Sequence, residues 1–255
     1  MSNDEAFYGA VLAEIHDAHF GALARGAADL VVDLLRERGI ERGTVVDLGC
    51  GSGITAAALT DAGFDVVGID VSPAMLDIAR RRVPQASFRC EPVLDATIPD
   101  AVAVTAIGEV LSYAADARML RADPVPLFSR VRAALAPKGV FVFDVASSGR
   151  AGPTGVRDAV HEGDDWTIAM RAAESADRMR LDRHITIFRK ADGDCFGCLR
   201  EHHVLRLLEP GDVTAALHAA GFAAARRDGY GAVADELLPG STMGWSVFVA
   251  TVPSR

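Results

Sequence analysis

The stretch that most constrains the fold of this 255-residue chain covers residues 44–70. An apolar run ends at Asp47, and a helical pattern begins at Ile54. Between them lie three glycines at alternate positions, Gly49, Gly51 and Gly53. This order predicts a buried strand, a tight turn and a helix start, and a second apolar run then leads to Asp70. A glycine loop after one strand and an acid after the next strand is the layout of a nucleotide-like site.

The spacing of the glycines separates two kinds of nucleotide site. A dinucleotide fingerprint that starts at Gly49 would need glycine at position 54, where the chain has Ile54. The order D-x-G-x-G-x-G from Asp47 instead resembles motif I of the class I S-adenosylmethionine-dependent methyltransferases. A cofactor without a pyrophosphate needs no phosphate-binding helix terminus, and its ammonium group favours a nearby carboxylate. A tight turn with no ligand is the structural alternative, and acids on both sides of the loop disfavour it.

The resemblance implies S-adenosyl-L-methionine as the cofactor and assigns roles to particular residues. Asp47 would support the amino acid part of the cofactor, and Asp70 would bind the ribose hydroxyls. The loop after the third strand offers Glu91 and Asp95 for the adenine amino group, and of these two Glu91 enters the expected set. The expected cofactor-binding residues are Asp47, Gly49, Cys50, Gly51, Gly53, Asp70, Val71, Met75, Glu91, Ile107, Gly108 and Glu109.

The periodicity of the whole chain predicts one α/β domain with a Rossmann-like sheet. The resemblance implies seven strands in the order 3-2-1-4-5-7-6, with the last strand antiparallel. Three alternating stretches, 166–170, 179–188 and 199–208, predict an antiparallel meander inserted as a lid after strand five. The expected division is a helical cap over 1–40, a cofactor-binding core over 41–150, a lid over 151–208 and the end of the core sheet over 209–255.

Composition narrows the range of partners. The net charge of -9 argues against a nucleic-acid partner, because phosphate binding depends on clustered Lys and Arg. No apolar run is long enough to span a membrane, and the N-terminus lacks the features of a signal peptide, so a cytoplasmic protein is expected. Cys195 and Cys198 have C-x-x-C spacing, but no second pair completes a zinc set, so no metal is expected.

These patterns predict methyl transfer from S-adenosylmethionine to a small-molecule acceptor by a monomer or homodimer. Two candidate catalytic residues are Tyr113, just past strand four, and His203, whose strand face also carries leucines. His202 competes with His203, and two idle surface histidines are the alternative. Two other functions remain open: a cofactor-binding scaffold or sensor without turnover, and a nicotinamide-dependent oxidoreductase, which Ile54 disfavours.

Overall fold

The computed structural model describes residues 7–191, 195–227, 229–230 and 243–253. The helices are α1 (Ala10–His19), α2 (Ala22–Arg36), α3 (Ile54–Asp61), α4 (Pro73–Arg82), α5 (Pro124–Ala134) and α6 (Pro210–Ala219). The first strands are β1 (Thr44–Leu48), β2 (Asp65–Asp70), β3 (Ser87–Cys90), β4 (Ala101–Ala106) and β5 (Leu135–Ala146). The later strands are β6 (Val156–Glu162), β7 (Trp166–Glu174), β8 (Arg180–Lys190), β9 (Phe196–Arg206), β10 (Ala223–Arg227) and β11 (Trp245–Thr251).

The larger sheet has seven strands in the order β10-β11-β5-β4-β1-β2-β3. Strands β1 to β5 pair in parallel, whereas β11 runs antiparallel to both β5 and β10. This confirms the predicted order 3-2-1-4-5-7-6 with an antiparallel last strand. Because the carboxyl ends of β1, β2, β4 and β5 meet at one edge, the loops that follow them form one surface.

Apolar packing covers both faces of this sheet. On one face α5 and α6 bury side chains against β4 and β5, with the rings of Phe128, Phe141 and Phe143 in mutual contact. On the other face α2 and α3 pack against β1, β2 and β5. The near-continuous apolar runs of the parallel strands follow from this burial on both sides.

Local capping places α4 directly after β2. Ser72 is the N-cap, with its Oγ accepting from the backbone N–H of Met75 at 3.2 Å, and Pro73 occupies the first turn. Met75 and Leu76 are buried. The sequence predicted this start, and it fixes Met75 next to the glycine loop.

A separate antiparallel sheet, which we call the lid sheet, has the strand order β6-β7-β8-β9. The meander was therefore predicted one strand too short, because β6 was assigned in part to a connector. Strand β6 lies at an edge and exposes Val160 and every second neighbour, so its sequence lacks a marked apolar alternation. Strand β9 also begins and ends earlier than residues 199–208, while the expected turn at 192–194 lies outside the described residues.

Helix α1 packs against the lid sheet, and helix α2 packs against the larger sheet. Leu12 and Ile15 of α1 pack against Trp166 and Ile168 of the lid sheet. Gly21 separates α1 from α2 as the N-cap of α2, whereas Gly26 is buried inside α2. Within the part of the chain that the structure describes, no helix combines the length and apolar character needed to cross a membrane.

Candidate active site

The glycine loop turns sharply between β1 and α3. Gly49, Gly51 and Gly53 all have positive φ, at 67°, 52° and 77°. A Cβ at Gly49 would collide with Val110, and a Cβ at Gly53 would press on Ala79. A Cβ at Gly51 would meet only Met75 Sδ, at 4.0 Å. The backbone at Gly51 therefore borders open space in which a ligand can lie.

Asp70 closes the loop from the end of β2. Its Oδ2 accepts from Gly51 N and its Oδ1 accepts from Ser72 N, both at 2.8 Å. Burial raises the pKa of this carboxyl, and the backbone N–H donors oppose that effect. The carboxylate is held between two loops at the strand ends, where it lines the central cleft.

Asp47, at the end of β1, has one oxygen without a partner. Its Oδ1 accepts from Thr105 Oγ1 at 2.6 Å, whereas the buried Oδ2 makes no hydrogen bond to any described residue. Burial raises the pKa of Asp47 to about 7. An unpaired buried carboxylate oxygen calls for a cationic or hydrogen-bonding ligand group, as the cofactor's ammonium would provide.

A cleft opens at this edge of the sheet, between the strand ends and the N-terminal residues. A Cβ at Gly108 would have no atom within 4 Å, so the backbone after β4 is also open to a ligand. One end of the cleft is apolar and the other end is aromatic. The lining residues are Phe7, Tyr8, His16, Gly49, Gly51, Asp70, Val71, Met75, Pro92, Val93, Leu94, Ile107, Gly108, Val110, Tyr113, Ala115, Asp116 and Met119.

The structure places most of the expected residues on this wall, but not all. Those that line the cleft are Gly49, Gly51, Asp70, Val71, Met75, Ile107, Gly108 and Tyr113. Asp47, Cys50, Gly53 and Glu109 lie just behind it, and Cys50 and Glu109 are buried. Glu91 lies 3.1 Å from Arg89, but its buried Oε1 makes no hydrogen bond to any described residue; Asp95 pairs with Arg118 at 2.5 Å, and neither residue is among those that line the cleft.

Glu109 is the centre of a buried ion cluster. One carboxylate oxygen accepts from Arg150 Nε, and the other accepts from Arg183 Nη2 at 2.7 Å. Burial opposes the charge of Glu109, but the two guanidinium groups outweigh burial and lower its pKa to about 2. Arg183 also donates to the hydroxyl of Tyr113 at 2.8 Å. The cluster joins the loop after β4 to the lid sheet.

Asp144 supports this cluster from the end of β5. The carboxylate is fully buried and accepts from the backbone N–H groups of Gly108 and Glu109 and from the hydroxyl of Tyr230. Burial raises its pKa. Its contacts hold Gly108 and Glu109 in their left-handed conformations, at φ values of 89° and 65°. Asp144 therefore shapes the loop and does not face the cleft directly.

The two candidate histidines lie on opposite faces of β9. His203 is buried, and its ring lies 4.7 Å from Phe7, 5.0 Å from Tyr8 and 5.8 Å from Tyr113, measured between centroids. His202 is exposed, and its Nε2 lies 2.9 Å from Asp182 Oδ1. The structure therefore brings His203, and not His202, to the aromatic end of the cleft, one layer behind its lining.

Several residues of the site had little or no signal in the sequence. Phe7, Tyr8 and His16 line the cleft because α1 and the residues before it fold across the strand ends. From the sequence we expected a helical cap over residues 1–40, but none of these three side chains was assigned to the site. Arg150 and Arg183 carried no signal, because a charged residue in a connector or an alternating strand is usually solvated.

The cysteine pair takes no part in the site. Cys195 and Cys198 are exposed and unpaired in the β8–β9 hairpin. Among the residues that the structure describes, no group of three or more His, Cys, Asp or Glu side chains is arranged to hold a metal ion.

Comparison with known sequences agrees with this geometry. Residues 45–139 match a family described as a methyltransferase domain. The chain is 31% identical over 123 residues to magnesium-protoporphyrin O-methyltransferase from Rhodobacter capsulatus, which is 46% of this chain and 55% of that protein. The matched region spans about half the length of the curated relatives.

Solved structures match over almost the whole chain. An S-adenosylmethionine-dependent methyltransferase from Clostridium acetobutylicum has a TM-score of 0.78 at 18% identity, covering 96% of this chain and 98% of that one. The sugar N-methyltransferase KedS8 from Streptoalloteichus has a TM-score of 0.72 at 23% identity, covering 100% and 99%. Fold and site thus define a Rossmann-like protein with an S-adenosylmethionine-type cleft. Residues 45–139 match the methyltransferase domain family, and the chain as a whole has the fold of S-adenosylmethionine-dependent methyltransferases.

Proposed function

We propose that this chain transfers a methyl group from S-adenosylmethionine to a small-molecule acceptor. The observation that carries the proposal is the cleft at the carboxyl edge of the sheet. There the open backbone of Gly51, the carboxylate of Asp70 and the unpaired oxygen of Asp47 lie within one loop system. These groups fit the amino acid and ribose parts of the cofactor.

The adenine part of the cofactor fits the apolar end of the cleft. Val71 and Met75 flank it on one side, and the segment 92–94 flanks it on another. The bound cofactor supplies a methyl group on sulfonium, which is already a good leaving group. The chain's contribution is then to align the acceptor with the methyl carbon and to exclude water. Phe7 and Tyr8 cover the cleft and serve this exclusion.

Three observations support a small acceptor. The aromatic end of the cleft lies under the lid sheet and the N-terminal residues, which leaves room for a compact molecule rather than a polymer. The similar proteins named above act on a sugar and on a porphyrin, by their names. The net charge of -9 disfavours nucleic acid as the acceptor.

We further propose that Tyr113 and His203 act on the acceptor. Tyr113 lines the cleft, where its hydroxyl accepts from Arg183 and lies in hydrogen-bonding contact with the hydroxyl of Tyr8. His203 lies against Tyr113. The variants His203→Ala and His202→Ala form a matched pair from the two faces of one strand. We expect a loss of turnover in the first only; changes below about twofold in both, roughly 0.4 kcal/mol, would remove the histidine from the mechanism.

The decisive experiment incubates the protein with methyl-labelled S-adenosylmethionine and fractionated metabolites. Transfer of label into a small molecule, with stoichiometric S-adenosylhomocysteine, is expected for the wild type and not for Gly51→Val. Cofactor binding without turnover across all fractions would instead identify a scaffold or sensor. Retention of a nicotinamide cofactor on the purified protein, with no affinity for S-adenosylmethionine, would reject the proposal outright.

A further inference from the structure

Glu201 on β9 is the meeting point of the lid sheet and the N-terminal segment, which we define as residues 7–9. Its Oε2 accepts from Tyr8 N at 2.9 Å, and its Oε1 accepts from Gly9 N at 3.0 Å. The same Oε2 lies 2.7 Å from His203 Nε2. Tyr8 itself has a φ of 48°, and its carbonyl accepts from Ser72 Oγ at 2.9 Å. The segment is therefore tied to the lid by Glu201 and to the cofactor loop by Ser72.

The hydrogen bonds at Glu201 determine which nitrogen of His203 carries the proton. In the form in which Glu201 is ionised and His203 is neutral, the carboxylate can only accept, and the ring proton lies on Nε2. Nδ1 then keeps its lone pair. This nitrogen is buried and makes no hydrogen bond to any residue in the described part of the chain. A buried nitrogen with a free lone pair calls for a partner that the protein does not supply.

The surroundings of His203 show where that partner would lie. Its ring contacts Phe7, Tyr8 and Tyr113, and all three of these residues line the cleft. The titratable and charged groups around it are Glu201 on its own strand, Arg183 opposite it on β8, Tyr8 and His16 from the N-terminal region, and Tyr113 from the loop after β4. Burial lowers the pKa of His16 to about 4, so His16 stays neutral at physiological pH.

We propose that Glu201 is a positioning residue: it orients His203 as the base for methyl transfer and ties that base to the N-terminal segment. This role of Glu201 rests on the proposed function. It limits the acceptor to a molecule whose nucleophilic oxygen or nitrogen carries a proton. Seated between the rings of Tyr8 and Tyr113, which separate His203 from the open cleft, the acceptor gives that proton to His203 Nδ1 while the acceptor atom bonds to the methyl carbon and the carbon–sulfur bond breaks, its electron pair staying on sulfur. The resulting imidazolium is paired with Glu201 until the proton passes to solvent.

The opposite face of β9 offers a matched control. Asp182 of β8 and His202 of β9 form a histidine–carboxylate pair of similar length, at 2.9 Å, on the exposed face of the lid sheet, where Asp182 also pairs with Arg180. No backbone N–H of the N-terminal segment reaches Asp182 among the described contacts. Asp182→Asn therefore removes a comparable pair without touching the cleft.

The test combines ring-nitrogen NMR with kinetics in wild type, Glu201→Gln, Glu201→Asp and Asp182→Asn. Free wild-type protein should show His203 protonated at Nε2 only. In Glu201→Gln with NH₂ in the place of Oε2, the amide oxygen keeps Gly9 N as donor, Tyr8 N loses its acceptor, and the NH₂ that faces Nε2 should move the ring proton to Nδ1. With labelled S-adenosylmethionine and the metabolite fraction that accepts the label, kcat should fall about 100-fold. Affinity for S-adenosylhomocysteine should stay within twofold.

Glu201→Asp, which keeps the carboxylate, should retain the Nε2 proton and part of the turnover, and Asp182→Asn should match the wild type throughout. A wild-type His203 protonated at Nδ1 would overturn the inference without any variant. So would a Glu201→Gln protein whose kcat and pH–rate profile equal those of the wild type. Failure of the proposed function is separable, because it would appear as a wild type that binds no S-adenosylmethionine.

Discussion

The cleft has two walls that are built in different ways. The cofactor wall comes from loops close together in the chain, between Gly49 and Met75, and its groups are mostly backbone atoms with Asp70 between them. The acceptor wall comes from segments far apart in the chain, such as Tyr8, Tyr113 and the lid strands β8 and β9. Local backbone conformation shapes the first wall, whereas long-range side-chain pairing holds the second wall together.

This difference implies different responses to mutation. A substitution on the cofactor wall should change ligand affinity, because the loop geometry there is determined by neighbouring residues. A substitution in the buried pairs of the acceptor wall should first change stability, because each charge there depends on a distant partner. The following experiments order these effects from the largest to the smallest.

The largest effect is expected for Glu109→Gln. This change removes the negative charge that the partly buried guanidinium groups of Arg150 and Arg183 share. The free energy of unfolding should fall by about 3 to 5 kcal/mol, measured by denaturant titration. The exposed pair of Asp158 and Arg171 is the control, and Asp158→Asn should cost less than about 1 kcal/mol. Equal losses in both variants would show that the cluster does not hold the acceptor wall.

The next effect belongs to the cofactor wall. In Gly51→Val the new side chain would occupy the open space beside the loop, at a φ of 52°. Affinity for S-adenosylhomocysteine should fall about 100-fold, roughly 2.7 kcal/mol, by calorimetry. Gly221→Val imposes similar backbone strain, at a φ of 83°, with no atom within 4 Å of its Cβ. Gly221→Val should lose stability but keep its affinity; a parallel loss of affinity would mean that strain alone explains Gly51.

A somewhat smaller loss of affinity is expected for Asp70→Ala. The change removes a carboxylate that accepts from Gly51 and Ser72 and that would bind two ribose hydroxyls. The expected cost is about 1.5 to 3 kcal/mol, or roughly ten- to a hundred-fold in the dissociation constant. Asp65, exposed at the other end of β2, is the control residue. Unchanged affinity in Asp70→Ala would reject the ribose assignment.

The smallest effect is a pH dependence of cofactor affinity. Burial raises the pKa of Asp47 to about 7, and the cofactor's ammonium would bind its ionised form. Binding must then release a proton below pH 7, so affinity should fall about tenfold between pH 8 and pH 6. The free protein responds in the opposite direction: a carboxyl whose folded pKa is raised stabilises the fold at low pH, and this stabilisation is lost as pH rises through 7.

Calorimetry at pH 6, 7 and 8 would measure this effect. Asp47→Asn should bind more weakly at all three values and without this dependence, because its amide does not titrate. If the cofactor affinity of Asp47→Asn still changes with pH to the same extent, another group on the cofactor wall titrates on binding.

The two walls also differ in how far the sequence predicts them. The glycine loop and the start of α4 follow from patterns within about thirty residues, as for Asp47, Gly51 and Asp70, whereas the strand order was implied by the family resemblance. The lid was predicted as an antiparallel insertion, but β6 was missed because an edge strand with exposed alternate residues has little apolar periodicity. The sequence favoured His203 over His202, and His203 is the buried one of the two. A catalytic role for His203 stays a prediction.

Glu91 and Asp95 show how little a residue's position along the chain says about the contacts of its side chain. Both follow β3, where the family resemblance places an adenine-binding group, yet each side chain pairs with a nearby arginine. A loop position does not determine the direction of its side chain, because the partner can come from any segment that folds nearby. Pro92, Val93 and Leu94 line the cleft instead.

By itself the sequence determined the sheet, its glycine turn and the kind of cofactor that such a turn can accommodate. These depend on glycine's access to positive φ and on apolar periodicity, which are properties of neighbouring residues. Only the tertiary structure decided that Arg150 and Arg183 share Glu109, and that Glu201 joins the N-terminal segment to His203. Those pairs form because folding removes charged groups from water and leaves each one stable only beside its partner.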